Sequence, residues 1–157
     1  MDQHVTKALG RAEIAEIFAR SNYIRTMNLE ILKSDHEASL LSVRMPLQDA
    51  YERGPAGSGR FHGGAIAALI DVVGDFAVGM QVGGGVPTMN LHIDYLRPAI
   101  GAYVNAVAVV RKSGRSTAVV DIDVSSPDGK LVAIGRGTYV PVVSWSCYSM
   151  NGIGRFS

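Results

Sequence analysis

Phe61-His62-Gly63-Gly64-Ala65-Ile66-Ala67-Ala68-Leu69-Ile70-Asp71, continuing through Val72-Val73-Gly74-Asp75 to Met80, decides how this chain is read. It opens as a glycine-rich turn and becomes a long apolar segment. Ile66, Leu69, Ile70, Val73 and Ala77 follow helical spacing, and the alanines between them suit a helix packed on nearly every side. Such a helix belongs in the middle of a domain. Asp71 is then an anomaly, because a carboxylate flanked by Leu69, Ile70, Val72 and Val73 needs a partner or a chemical role. Asp75 lies one turn later on the same face.

The turn ahead of the helix has its own chemistry. Gly63 and Gly64 carry no side chains, so their amides are expected to stand open at a helix N-terminus, where the dipole favours negative charge. That is the chemistry of an oxyanion site. Eight residues separate Gly63 from Asp71, roughly 12 Å at the helical rise. One helix therefore cannot aim both groups at one carbonyl. Two antiparallel copies, each offering its start to the other's middle, can. The spacing points to a site shared between subunits of a homodimer, or of a dimer of dimers.

His62-Gly63-Gly64 followed by Ala68-Leu69-Ile70-Asp71 resembles the signature of the hotdog-fold acyl-CoA thioesterases of the phenylacetate-pathway (PaaI-like) family. Later stretches agree. They are Tyr95-Leu96-Arg97-Pro98-Ala99, the basic hairpin at 109–115, and Asp128-Gly129-Lys130-Leu131-Val132-Ala133 before a last strand. The resemblance covers roughly residues 20–140. It implies a curved antiparallel sheet wrapped around one long helix, and hydrolysis of an acyl- or arylacyl-CoA without a metal or redox cofactor.

By the same resemblance, Asp71 is the general base or the nucleophile, and the Gly63 amide is the oxyanion donor, with Gly64 beside it at the substrate. Thr88 is the hydroxyl that helps position the attacking water. His62 either orients the turn and contacts substrate or is purely structural, since about 13 Å along the helix separates it from Asp71. Asp75 contacts the acyl group, orients water, perturbs Asp71 by like-charge repulsion, or is an interface carboxylate. Arg111, Lys112, Arg115 and Ser116 surround the hairpin expected near the CoA nucleotide and phosphates, and Arg97 carries a weaker form of that role. One position departs from the family. Many relatives carry Asn or Gln six residues before the histidine, and here Ala56 stands there, with Gln48 too distant to replace it. That departure keeps a non-catalytic acyl-CoA-binding module open as the alternative. A hotdog dehydratase is disfavoured, because no His-x-x-x-x-Pro-Gly stretch is present.

The rest of the chain sets bounds. The 157 residues suit one domain, and 47% hydrophobic against 18% charged residues suits a heavily buried, oligomeric protein. A net charge of +1 gives no reason to propose nucleic acid or membrane as a partner. The single cysteine, Cys147, excludes an internal disulfide and a multi-cysteine metal site. No apolar run is read as approaching a membrane span, and residues 1–7 have no signal-peptide core, so a soluble cytoplasmic protein is expected.

In chain order, residues 1–22 are read as an N-terminal helical segment, with a helix over 8–20 that turns Ile14, Ile17 and Phe18 inward. Residues 23–140 form the domain and 141–157 an unassigned tail. A hairpin of strands at 27–31 and 38–45 comes first. Residues 46–60 are expected to be a long mobile loop gating the substrate. Four strands follow the helix, over 88–96, 103–112, 116–125 and 131–140. In the first, alternation places Met89, Leu91, Ile93 and Tyr95 on one face and Thr88, Asn90, His92 and Asp94 on the other. Gly57-Ser-Gly59 lacks the third glycine of a dinucleotide fingerprint, and His92 with Asp94 supplies only two potential metal ligands.

Overall fold

The computed structural model describes residues 8–142. Helix α1 (Arg11–Arg20) leads into a 3-10 turn (Ile24–Met27) and the hairpin β1 (Glu30–Asp35) and β2 (Leu40–Pro46). Helix α2 (Gly63–Val82) follows, then β3 (Thr88–Tyr95), β4 (Tyr103–Ser113), β5 (Ala118–Ser125) and β6 (Leu131–Tyr139). The six strands form one antiparallel sheet in the order β1-β2-β4-β5-β6-β3, so β3 is an edge. This is the expected α+β plan, a sheet packed on one long helix.

Helix α2 is buried along most of its length, with Leu69, Ile70, Val73, Phe76, Ala77 and Met80 fully enclosed. The strands beneath it present small side chains that let it approach. Ala106 and Ala108 on β4 and Ala118 on β5 are fully buried, and a Cβ at Gly135 of β6 would stand 2.6 Å from Ile70 Cγ2. Contrary to the sequence reading, α2 is long and apolar enough, by length and composition, to cross a membrane. Most of it is covered by the sheet instead, and it is the core helix of the domain. The helix ends where Gly83 adopts φ 94°, a left-handed cap whose amide donates back to Gly79 O.

Three local expectations are corrected. The first strand runs over Glu30–Asp35 rather than 27–31, because Asn28 turns left-handed at φ 49° and closes a 3-10 turn that includes Met27. Residues 46–60 are a built structure rather than a mobile loop. The Glu52 carboxylate accepts from the amides of Gly57 and Gly59, Arg53 N donates to Arg60 O, and His62 N donates to Tyr51 O at 2.7 Å. Third, β3 carries a bulge at Thr88–Asn90, so the strict alternation fails at its first residue. Helix α1 buries Ile14 and Phe18, with Ile17 only partly covered, and an edge-to-face contact of 4.9 Å joins Phe18 to Phe76 of α2. The tail expected over 141–157 falls, beyond Val142, outside the described residues.

Candidate active site

His62 is the N-cap of α2, with extended backbone and its Nδ1 accepting from Gly64 N at 2.9 Å. That bond limits what Gly64 can offer a substrate. Its amide is already taken, so of the two glycines only Gly63 presents an N–H without a partner among the described residues. His62 thus holds the turn, and the amide left open is that of Gly63. Tyr95, at the far end of β3, donates its hydroxyl to Gly63 O at 2.8 Å and lays its ring 3.5 Å from the point where a Cβ on Gly63 would begin. The turn is clamped from both sides.

Asp71, two turns along, is partly exposed and accepts from Thr88 Oγ1 at 2.7 Å. The bulge in β3 makes that bond possible. It turns Thr88 toward the helix, onto the side where Tyr95 also reaches α2, and leaves Met89 61% exposed. Behind the acid, the buried Tyr139 hydroxyl lies 3.4 Å from Asp71 O. Burial, reinforced by the nearby charges of Asp71 and Asp75, holds that phenol far above the usual tyrosine range.

Asp75, half-buried, has a structural partner of its own. Its Oδ1 accepts from Val86 N at 2.6 Å, pinning the loop that leads into Thr88. Desolvation pushes its carboxyl up to about 7, against the lowering effect of the Val86 bond and with a smaller upward push from Asp71.

The remaining candidates fall into two groups at opposite ends of the sheet. Arg97 lies with Gly63, His62 and Tyr95 around a cleft of about 490 Å³, and its Nη1 donates to Leu131 O at 2.7 Å. Arg53, which the sequence reading passed over, lines the same cleft. The hairpin residues Arg111, Lys112, Arg115 and Ser116 sit at the other end, as the register shows. Ser113 pairs with Ala118, Ala118 with Tyr139, and Tyr139 with Thr88, whereas Tyr95 pairs with Ala133. Arg111 is engaged on the outer face, where it and Arg136 both bond Asp121, at 2.9 and 2.6 Å, holding that carboxyl below its usual range. Lys112, Arg115 and Ser116 are exposed. A single chain therefore brings Asp71 to Thr88 and gathers His62, Gly63 and Arg97, but does not join these sets.

Gln48 bonds Thr26 O at 2.8 Å and Asn28 at 3.2 Å, so its amide serves the N-terminal segment. His92 and Asp94 approach to 3.4 Å on the outer face, and no group of three or more metal-type ligands occurs among the described residues. Sequence reasoning missed Tyr139, although Gly74 and Gly137 both leave room for its ring and so offered a signal.

Comparison with known proteins agrees with this fold. Residues 58–133 match the family described as the thioesterase superfamily. A protein of Halobacterium salinarum named "Putative esterase" is 34% identical over 109 residues, covering 63% of this chain and 72% of its own. An X-ray structure described as from the thioesterase superfamily superposes with a TM-score of 0.74 at 30% identity, over 81% of this chain and 94% of that one. The acyl-coenzyme A thioesterase PaaI of Escherichia coli is 36% identical over 77 residues, 48% of this chain and 54% of that enzyme. The structure of E. coli PaaI, from the phenylacetic acid degradation operon, aligns with a TM-score of 0.69 at 25% identity, over 80% and 88% of the two chains. The chain belongs to the thioesterase superfamily and has its hotdog fold.

Proposed function

We propose that this protein hydrolyses the thioester of an acyl- or arylacyl-CoA at a site completed by two antiparallel subunits. The observation that carries the reading is the Thr88–Asp71 bond of 2.7 Å beside a helix whose start offers the unpaired Gly63 amide. Asp71 of one subunit deprotonates water, or attacks the carbonyl itself, while Gly63 N–H of the other receives the developing oxyanion. The C–S bond breaks, and the products are the free acid and the CoA thiol. The exposed edge strand β3 supports the pairing. Among the described residues no strand pairs with its outer side, and Met89, Tyr95 and Leu96 there are 61%, 54% and 47% exposed. Antiparallel pairing across that edge would bring the basic hairpin of one subunit to the Gly63 end of the other, where the CoA phosphates would meet Lys112 and Arg115.

A second reading, a module that binds acyl-CoA without cleaving it, draws on Ala56 in the place of the usual amide. A panel of CoA esters assayed with a chromogenic thiol reagent separates the two. Catalysis predicts thiol release that falls at least about a hundredfold in Asp71→Asn, with ester binding retained. Binding without release in the wild type would establish the second reading instead.

A further inference from the structure

We infer that the cleft beside Gly63 receives an anionic acyl group, so that the substrates are CoA thioesters whose acyl chain ends in a carboxylate. The inference rests on the thioesterase reading above and specifies its substrate class. The cleft has apolar walls, among them Phe61, Ile66 and Val132, and two cations, Arg53 and Arg97. Its lining contains no acidic residue. Arg97 spends one nitrogen on Leu131 O, while Arg53 has no side-chain hydrogen bond or ion pair among the described residues. The contrast with the other end of the sheet is informative. There, Arg111 and Arg136 both pair with the Asp121 carboxylate. Two guanidiniums left uncompensated at an apolar cleft suit a ligand with an apolar body and a charged end.

Reach distinguishes the acyl end from the nucleotide end. A compact volume of 490 Å³ is roughly 10 Å across, and Gly63 itself is part of the wall. With the thioester carbonyl on the Gly63 amide, CoA carries no charge near the reaction centre. The neutral arm from its sulfur to the first phosphate spans about four residue-lengths, roughly 15 Å when extended. On the pairing proposed above, an extended arm carries the phosphates past the cleft to the partner subunit's hairpin, and an anion that meets Arg53 inside the cleft is assigned to the acyl side. The segment that carries Arg53 is fixed, since its amide donates to Arg60 O at 2.8 Å and the neighbouring Glu52 is held by two glycine amides. The guanidinium is presented from a rigid base, which suits selection by chain length.

The test compares glutaryl-CoA, hexanoyl-CoA and glutaryl-pantetheine, which lacks the nucleotide and its phosphates. Turnover is measured on the wild type, Arg53→Gln and Arg53→Lys, and calorimetric binding on each protein in an Asp71→Asn background. The wild type is expected to prefer glutaryl-CoA to hexanoyl-CoA by about tenfold or more in kcat/KM, and Arg53→Gln to abolish the preference by raising KM. Hexanoyl-CoA should change less than about twofold, glutaryl-pantetheine should lose as much as glutaryl-CoA, and Arg53→Lys should keep most of the preference. Equal loss for both CoA esters with the pantetheine ester spared would overturn the inference, since the arginine would then be reading phosphate. Indifference of all three ligands would overturn it as well. The binding arm decides the matter even if no ester is cleaved. Selective binding without turnover would sustain the anion site and refute the thioesterase reading, whereas cleavage of hexanoyl-CoA without the preference does the reverse.

Discussion

Gly74, on the buried side of α2, faces Tyr139, and a Cβ there would lie 2.0 Å from the phenol oxygen and 2.7 Å from Cζ. The ring has no route of escape, because Gly137 on its own strand leaves space for it only by lacking a Cβ. Replacing glycine by alanine inside a helix ordinarily stabilises by about 1 kcal/mol. Here the sign should reverse, with Gly74→Ala losing about 1–3 kcal/mol through overpacking, visible as a lower melting temperature. Asp75 makes a prediction of a different kind. Its carboxyl titrates near 7 in the fold, against about 4 in an unfolded chain. Between those values the folded state holds a proton that the unfolded chain has released. The stability linked to this group is therefore fully present below about pH 4 and is lost as the pH rises through about 7. Asp75→Asn, which keeps an acceptor for Val86 N–H but cannot ionise, should flatten the fall in melting temperature between pH 5 and 8. An unchanged pH profile would show that Asp75 does not carry the coupling.

At the scale of elements, β3 and the loop before it connect one acid to the other. Asp75 holds Val86 at 2.6 Å, the chain passes Pro87, and the bulge then turns Thr88 onto Asp71 at 2.7 Å. If Asp75 acts on turnover through that path, Asp75→Ala and Thr88→Ala should each lower kcat roughly tenfold with little change in KM. Their combination should cost no more than Thr88→Ala alone, because both remove the same restraint. Multiplying losses would make Asp75 independent of the threonine. The same region shows what could be read from residues alone. The long helix was legible in the spacing of Ile66, Leu69, Ile70 and Val73, and Asp71 in its isolation among them. The side to which Thr88 points was not legible, because a bulge shifts the alternation and depends on how β3 registers with β6. The order within residues 46–60 was hidden for a related reason. Its organiser is Glu52, a surface-type residue whose partners are backbone amides several positions away.

At the scale of the whole molecule, the proposed site depends on groups held at opposite ends of one helix and sheet. Gly63 and Asp71 sit roughly 12 Å apart on one rigid helix, and the arginines of the cleft lie at the opposite end of the sheet from the basic hairpin. The spacing of Gly63 from Asp71 was legible because helical rise is fixed. The way two copies meet was not, since one chain's pattern does not encode the register of an edge strand against its partner. Complementation between two inactive variants tests the shared site directly. Gly63→Pro removes the proposed oxyanion donor, and its fold should survive. Proline suits the first helical position, and His62 before it already has ψ 139°. Asp71→Asn removes the acid. Each variant alone should be nearly inactive, but a mixed dimer with a shared site contains one site with both defects and one with neither. Co-refolding equal amounts should restore activity toward about a quarter of wild type, since half the dimers are mixed and each regains one site of two. If mixed dimers form, shown by mass-tagged subunits, and the proline variant is folded, yet no activity returns, the acid and the amide do not come from different subunits.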